Sequence, residues 1–522
     1  MTSPPPPAPP AADVPEQHPV VLRLETGVPL GRGAKQGAVW AVGSKVVSQF
    51  VQFLGTIITA RLLLPSDFGI TAVVFPVLTF GAIFNTLGLS SAIIHVHRVT
   101  EKLLSTVFYV HAAMSVLLTA IVALLAAPLA VLFDIPALTP VLMLASLIFV
   151  LNRSLVPTAL LERTLRFKQI AVVETVCAAL GIVTTVVAAV AGAGAYSLVL
   201  GPLVDQATRS FGSYALVRWR PRARPDRESL RELWTFTRGI TGFSLLNFWS
   251  RNADNLLLAR FVDLTSLGYY NRAYNLMRLP VLQVNIAMSR VLVPAITRLR
   301  DDRPRMGRAW LRALAATGAA AAPVTLGMAV AAPAMIEVLL GRRWLGMVDV
   351  LQVLALSALP QTLTTTVAGL LRATGATDTL FRLGLLTSAM SLAAMLIGLP
   401  WGTLGVATAL AVKFYLEVLV SLRPCLRETG LRWRDLVRAL RGVWFASMAL
   451  AAAGLAVRLG VPDSLPAWQV LLAQVSACAV AYLAALWVVD REPVLLVANG
   501  LRGLARRRRP AVVPSSAPAE RS

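Results

Sequence analysis

The feature that most constrains this chain is a succession of fourteen apolar runs of about 20 residues, the length that an α-helix needs to cross a bilayer. Of the 522 residues, 56% are hydrophobic and only 14% are charged, against about 25% charged in soluble globular domains. The chain is therefore predicted to be an all-α polytopic membrane protein. The predicted spans lie near residues 38–60, 68–90, 105–127, 139–160, 170–191, 195–216, 239–260, 268–294, 313–340, 348–371, 382–400, 402–422, 442–459 and 467–489.

The connections between the spans differ in charge. About 36 of the 49 Lys and Arg residues fall in the termini and in the connections after even-numbered spans, and about 5 fall after odd-numbered spans. Cytoplasmic loops carry such an excess, so both termini are predicted to be cytoplasmic and the number of spans even. The expected location is a bacterial inner (cytoplasmic) membrane. The net charge of +23 then has its explanation in these loops, and no nucleic acid partner is expected.

The same pattern predicts the domain organisation. Residues 1–36 are Pro-rich, lack helical periodicity and are expected to be a disordered cytoplasmic terminus, and they do not have the pattern of a signal peptide. The remaining parts are an N-lobe with spans 1–6 (37–216), a basic cytoplasmic linker (217–238), a C-lobe with spans 7–12 (239–422), a basic cytoplasmic loop (423–441), spans 13 and 14 (442–489) and a basic cytoplasmic tail (490–522).

An internal repeat relates the two lobes. The run from Ala60-Arg61 to Phe68-Gly69 matches the run from Ala259-Arg260 to Leu267-Gly268, 199 residues later, with Arg and Gly eight positions apart in both. Further along, the run that begins at Gly194 resembles the run that begins at Gly405. Both copies begin on the same side of the membrane, so the lobes are predicted to be parallel, pseudo-symmetric six-helix repeats. Paired helical halves around a central site are a transporter architecture.

The middle of the chain resembles a known family. The resemblance lies in the runs Asn252-Ala-Asp254-Asn255-Leu-Leu-Leu, Leu267-Gly268-Tyr269-Tyr270 and Arg272-Ala-Tyr274-Asn275-Leu, and it extends to Leu161-Glu162-Arg163 through Arg166-Phe167-Lys168. These runs resemble the polysaccharide and oligosaccharide (Wzx-like) flippases of the multidrug/oligosaccharidyl-lipid/polysaccharide superfamily, and more closely their colanic-acid and succinoglycan exporter branch. The resemblance covers roughly residues 35–490.

The resemblance implies both a fold and a function. The implied fold is a pair of six-helix lobes, similar to multidrug exporters of the superfamily, followed by two further helices. The implied activity is translocation of undecaprenyl-diphosphate-linked oligosaccharide repeat units from the cytoplasmic to the outer leaflet, for exopolysaccharide or lipopolysaccharide biosynthesis. The implied partners are this lipid-linked oligosaccharide, the bilayer, a polysaccharide polymerase and a chain-length regulator.

Spans 1 and 7 occupy equivalent places in the two lobes, and each carries a polar stripe. The stripes consist of Lys45, Ser48, Gln49, Gln52 and Thr56 in span 1, and of Asn247, Arg251, Asp254 and Asn255, with Asn252 beside them, in span 7. A charge at the bilayer centre costs at least ~2.5–3.5 kcal/mol and rarely faces lipid. The two stripes are therefore predicted to face each other across a central cleft.

The stripe residues suit a diphosphate-linked sugar. Lys45 and Arg251 supply cations for the diphosphate, and Arg fits two phosphate oxygens through its planar fork. The amides that would bind sugar hydroxyls are Gln49, Gln52, Asn247, Asn252 and Asn255. The alternative is that Arg251 and Asp254, three positions apart, form an ion pair that only neutralises itself.

Other intramembrane charges have two interpretations each. Arg272 and Arg290 in span 8 are candidate cleft cations, although Arg290 could simply extend to the interface. Glu174 has no evident local partner and, with Asp254, is a candidate coupling carboxylate; the alternative for Glu174 is an interfacial position. Two pairs four positions apart are predicted to neutralise themselves: Asp205 with Arg209, and Lys413 with Glu417.

Missing motifs argue against an enzyme and against a cofactor. The sequence has no Gly-Lys dipeptide and so no Walker A loop, and it has no HExxH or Gly-x-Ser-x-Gly motif. Cys177, Cys425 and Cys478 are isolated, so no metal site is expected. The rival functions are a lipid-linked peptidoglycan precursor flippase, a cation-coupled drug exporter, a polyprenyl-sugar glycosyltransferase and, outside transport and catalysis, a membrane scaffold of the polysaccharide assembly complex.

Overall fold

The computed structural model describes residues 32–489 apart from 87, 96–98, 228–229, 232–241, 243, 246–247, 249–251, 300–301 and 463, and it describes no side chains at 32–42, 44–46, 91–92, 95 and 287–295. Across the described residues every regular element is an α-helix or a 3-10 helix, so the predicted all-α class is confirmed. The chain divides into two compact units, Met1–Asn271 and Arg272–Ser522. The domain boundaries predicted from the sequence stay a prediction.

The first unit consists of helices that are joined mostly by short turns. They are α1 (Arg32–Leu62), α2 (Pro65–Thr86), α3 (Leu89–His95), α4 (Glu101–Phe133), α5 (Leu138–Leu151), α6 (Leu155–Arg163), α7 (Phe167–Val190), α8 (Ala195–Val217), α9 (252–261) and the start of α10 (Leu264–Thr297). Local chemistry sets several ends. Thr100 caps α4 by accepting the Leu103 amide at 3.2 Å, and Asp134 ends α4 in the left-handed conformation with φ 59°. The axis bends by 45° between α5 and α6.

In the first unit, the connections between helices contact one another at two opposite ends. At the basic end, the Arg163 side chain donates to the Ile93 carbonyl at 2.8 Å, and the Arg222 amide donates to a Glu101 carboxylate oxygen at 2.8 Å. The connections after α2, α6 and α8 therefore meet there. At the opposite end, here called the turn end, the α1–α2 turn contacts both the α7–α8 turn and the α9–α10 turn, because Gly194 lies against Asp67 and Gly69 lies against Leu264. This grouping matches the alternation that the charge pattern predicts.

The second unit is organised around one long helix. Its elements are the rest of α10, then α11 (Arg303–Leu339), a 3-10 helix (Arg342–Met347), α12 (Val348–Thr374), α13 (Thr377–Gly398), a 3-10 helix (Leu399–Trp401), α14 (Gly402–Thr429), α15 (Trp433–Gly460) and α16 (Ala467–Val489). Helix α11 packs against α12, α15 and α16, while α14 packs against α12 and α13. The Tyr482 hydroxyl donates to the Ala319 carbonyl at 3.0 Å, which ties the last helix to α11.

The described residues of all fourteen predicted spans are largely helical. By length and composition, eight of the helical segments described could cross a membrane, or nine if the bent pair α5–α6 forms one span, and one of the eight (Thr377–Thr429) includes both α13 and α14. Helices α1, α8 and α10 are not among them, because polar residues interrupt their apolar sequence. Composition alone therefore undercounts the helices that carry the polar stripes.

Candidate functional site

Helix α1 carries its polar stripe opposite an exposed apolar face. That face consists of Val47, Phe50, Leu54 and Ile58. Successive residues of a helix are about 100° apart, so Gln49 and the exposed Gln52 lie on the other side of α1, where they can line a polar cleft. Ser48 has a different role, because its hydroxyl lies 3.1 Å from the Thr175 hydroxyl and joins α1 to α7.

Two polar pairs connect α9 to the start of α10. The Tyr270 hydroxyl donates to Asp254 Oδ2 at 3.0 Å, and the Asn271 side-chain amide donates to Asn255 Oδ1 at 3.2 Å. Asp254 is only 3% exposed, and its Oδ1 also accepts the Asn255 backbone amide at 2.9 Å. These two pairs, each sixteen positions apart in sequence, form what we call the α9–α10 ladder. The ladder places carboxylate, hydroxyl and amide groups together between the predicted spans 7 and 8.

Of the remaining predicted cleft residues, the structure describes the side chains of some and not of others. Asn252 donates its side-chain amide to the Phe248 carbonyl at 3.0 Å, and Arg272 is half-buried on α10 with its Nε buried. Four predicted residues cannot be placed: Asn247 and Arg251 lie outside the described residues, and the side chains of Lys45 and Arg290 do too. The predicted Arg251–Asp254 pair and the facing of the two stripes are therefore still predictions.

A cavity of about 210 Å³, lined by both polar and apolar side chains, lies within the first unit, near its basic end. The cavity is lined by Thr86, Ser90, Asn152, Ser154, Leu155, Thr158, Leu161, Ile170, Val173, Glu174, Arg209 and Ser213. Arg209 bridges two carboxylates, with Glu174 at 3.6 Å and Asp205 at 3.1 Å. Glu174 has no partner nearby in the sequence, and in the structure its partner is Arg209 on the next helix. Two carboxylates around one guanidinium give this cluster a formal net charge of −1.

The equivalent helix of the second unit carries an ion pair of opposite polarity. Gly194 and Gly402, at the starts of α8 and α14, share an unusual backbone conformation, with φ, ψ of 53°, −132° and 66°, −151°. Eleven and fifteen positions after these glycines come the pairs Asp205–Arg209 and Lys413–Glu417. The backbone conformation thus favours aligning Gly194 with Gly402, three residues before the Gly405 that the sequence comparison suggested. The Lys413–Glu417 pair is the more buried, and its ammonium also lies 4.3 Å from the Phe414 ring centroid.

Sequence reasoning missed several partners of the candidate residues. Tyr270 ends one of the family-like runs and Asn271 follows it directly, but nothing local to the sequence shows that they bond to α9. Gln206 donates to Asn152 Oδ1 at 2.9 Å and so adds a second polar pair beside the Glu174 cavity. The available signal was periodicity, since Gln206 lies beside the flagged pair Asp205–Arg209 on α8.

A sequence family described as polysaccharide biosynthesis protein matches residues 58–349, more than half of the chain. The lipopolysaccharide biosynthesis protein WzxC of Escherichia coli (strain K12) is 25% identical over 416 residues, 77% of this chain and 83% of the relative. The succinoglycan biosynthesis transport protein ExoT of Rhizobium meliloti (strain 1021) is 30% identical over 320 residues, 61% of this chain and 65% of the relative.

Solved structures agree on the architecture. The lipid II flippase MurJ in an inward closed conformation has a TM-score of 0.69 at 14% identity, over 87% of this chain and all of that one. An inward-facing multidrug resistance MATE family transporter of the MOP superfamily has a TM-score of 0.57 at 15% identity, over 73% of this chain and 95% of that one. At these identities the likeness shows the fold, which is the two-lobed helical fold predicted from the sequence.

Proposed function

Because the chain belongs to the polysaccharide biosynthesis protein family, among the flippases of the multidrug/oligosaccharidyl-lipid/polysaccharide superfamily, we propose that its substrate is an undecaprenyl-diphosphate-linked oligosaccharide repeat unit. The repeat unit would move from the cytoplasmic to the outer leaflet of a bacterial inner membrane, for exopolysaccharide or lipopolysaccharide assembly. Both chain termini would then lie in the cytoplasm.

One observation carries the proposal, namely the α9–α10 ladder. It holds Asp254, Asn255, Tyr270 and Asn271 together where two neighbouring predicted spans pack on each other. Polar groups at membrane depth are expensive and generally mark a substrate pathway. Amides and hydroxyls are the partners that sugar hydroxyls need, so the ladder and the amides of α1 favour a glycan over an apolar drug.

The proposed mechanism assigns each group one task. Lys45 and Arg251 attract the diphosphate, because charge-assisted hydrogen bonds to phosphate are the strongest that a side chain makes. Gln49, Gln52 and Asn252 bind sugar hydroxyls, while the lipid tail stays in the bilayer. Alternating access of the two predicted lobes then exposes the headgroup to the other side.

Two carboxylates are candidates for coupling to an ion gradient. Glu174 lines the cavity of the first unit and has a side chain 47% exposed, whereas Asp254 is buried and held by Tyr270. A coupling carboxylate must exchange protons or cations with water during transport. We therefore rank Glu174 before Asp254 for this role.

The test is a flipping assay in proteoliposomes. Fluorescent undecaprenyl-diphosphate oligosaccharide is incorporated, and its exposure is followed with a glycosidase added outside. Arg251→Ala and Lys45→Ala are each expected to slow flipping by roughly tenfold or more, since a hydrogen bond to a charged group contributes about 1.5–3 kcal/mol. Arg220→Ala is the matched control, because Arg220 is exposed in the loop after α8.

The same assay can refute the proposal. Normal flipping by Arg251→Ala, in protein inserted at the wild-type level, would remove Arg251 from the site. Flipping of lipid-linked peptidoglycan precursor, but not of the oligosaccharide, by the wild-type chain would show that the substrate class is wrong.

A further inference from the structure

Two glycines from the two repeat copies touch each other's helices reciprocally. Gly69 lies in the first turns of α2, and Gly268, 199 residues later, lies in the first turns of α10. A Cβ added to Gly69 would lie 2.0 Å from the Leu264 carbonyl oxygen, and one added to Gly268 would lie 1.9 Å from the Pro65 carbonyl oxygen. Pro65 and Leu264 are themselves 199 residues apart. The contact therefore has the two-fold symmetry of the repeat.

This contact, here called the glycine seam (Pro65, Gly69, Leu264 and Gly268), joins backbone to backbone. No side chain separates the two helices, so each carbonyl oxygen approaches a glycine Cα directly, a geometry that Cα–H···O contacts support. Only a residue without Cβ allows it. The flanking residues Phe68 and Leu267 are buried at 4% and 0% exposure. The seam thus closes the space between α2 and α10 at the turn end.

We propose that the glycine seam is the outer gate of the transporter. The positive-inside pattern places the turn end outside, at the opposite end from the basic loops. A contact made through backbone atoms between two helix starts can separate as a unit when the repeat copies move apart. Such two-state interfaces are how small displacements become transitions between closed and open states. The inference rests on the proposed alternating access and is independent of the substrate's identity.

The proposal makes Gly69→Ala and Gly268→Ala opening mutations. A real Cβ does not come within 3.0 Å of another heavy atom, so either alanine forces the helices apart by about 1 Å in the closed state. The open state carries no such clash, and its population rises. Because both alanines act on one contact, the double variant is expected to add little to either single change.

Cysteine labelling measures the opening. The reporter is Gln52→Cys, whose side chain is exposed on the polar side of α1, and the reagent is a membrane-impermeant maleimide outside intact cells. The native cysteines Cys177, Cys425 and Cys478 are buried, and the chain without the reporter sets the background. Either glycine variant is expected to raise the labelling rate of the reporter roughly tenfold.

The matched control is Gly43→Ala on α1, where an added Cβ meets nothing within 4 Å, and it should leave labelling unchanged. A Gly69→Ala or Gly268→Ala protein that is folded and inserted but labels at the wild-type rate would overturn the gate. If the wild-type chain does not flip the oligosaccharide at all, the proposed substrate is wrong, but the labelling result for the gate still stands.

A second measurement keeps both glycines and so avoids loss of folding. Ser66→Cys and Thr265→Cys lie in the helix turns that the seam joins, again 199 residues apart. A short, reducible bis-thiol cross-linker between them is expected to stop transport of the natural lipid-linked substrate in cells and to release it on reduction. Transport at the wild-type rate by the cross-linked protein would show that the seam does not open.

Discussion

Replacing Tyr270 with Phe tests whether the α9–α10 ladder holds the buried carboxylate of Asp254. The Tyr270 ring is fully buried, and its hydroxyl lies 3.0 Å from Asp254 Oδ2. Phenylalanine keeps the ring and removes only the donor. A hydrogen bond to a charged group contributes about 1.5–3 kcal/mol net. Because Asp254 is 3% exposed, water cannot readily replace the lost donor, and the cost is expected at the upper end of this range.

The assay is reversible unfolding in mixed micelles, titrated with dodecyl sulfate. Tyr270→Phe is expected to lower the free energy of unfolding by about 2–3 kcal/mol. Tyr109→Phe is the control, since Tyr109 is 41% exposed and its loss of a hydroxyl should stay within about 0.5 kcal/mol. A double-mutant cycle with Asp254→Asn isolates the pair from other effects of each change.

A Tyr270→Phe protein no less stable than Tyr109→Phe would refute the reasoning. A cycle with no coupling between Tyr270 and Asp254 would do the same, even if each single change were costly. Either result would mean that the carboxylate is stabilised by groups other than the ladder, and the proposal would lose the observation that carries it.

Three further outcomes follow from charged groups. Lys413→Met or Glu417→Leu leaves one buried charge unpaired and should lower the free energy of unfolding by about 3–5 kcal/mol, whereas the double variant should lower it by less than either single change. Unfolding in micelles measures these free energies, and a double variant equal to the sum of the single changes would contradict the prediction. Glu174→Gln breaks a half-exposed pair with Arg209 and should lower the free energy of unfolding by less than about 1 kcal/mol. The same change should abolish the response of the flipping rate to an imposed ion gradient, and an unchanged response excludes Glu174 from coupling. Burial alone would raise the pKa of Asp263, but hydrogen bonds from the first turn of α10 outweigh burial and lower this pKa. Asp263 therefore stabilises the turn at a pH above its unfolded pKa of about 3.9. This stabilisation is lost as the pH falls through the folded pKa. Asp263→Asn should therefore flatten the acid limb of the unfolding curve, while Asp263→Ala should cost about 1 kcal/mol at neutral pH; an acid limb unchanged in Asp263→Asn would contradict this.

The helices followed from the sequence because apolar length is a local property. Breaks inside the spans were harder to predict. The predicted span 68–90 is interrupted where Gly88 adopts φ 68°, and the span 139–160 bends at Asn152–Ser154. Both places carry a glycine or polar residues that could have been used as signals. Apolar averages over 20 residues conceal such short interruptions.

The candidate site was less predictable because its contacts are tertiary. Periodicity put Gln49 and Gln52 on one side of α1, and the structure agrees. Nothing in a 3.6-residue repeat shows that Asp254 meets Tyr270 across a turn, or that Glu174 meets Arg209 on the next helix. Those pairings depend on how helices pack, which periodicity does not encode.

The bend between α5 and α6 depends on a helix that is synthesised later in the chain. At this bend the Ser210 hydroxyl donates to the Leu151 carbonyl at 2.7 Å and accepts the Arg153 amide at 2.9 Å. An unpaired backbone group in hydrocarbon costs several kcal/mol. The Arg153 amide also donates to the Leu151 carbonyl at 2.9 Å, so these two groups pair locally, and Ser210, synthesised 57 residues later, adds the second hydrogen bond to each. The hydrogen bonds at this bend are therefore complete only once α8 has packed against it, and Ser210 links a late-synthesised helix to an earlier break in the chain.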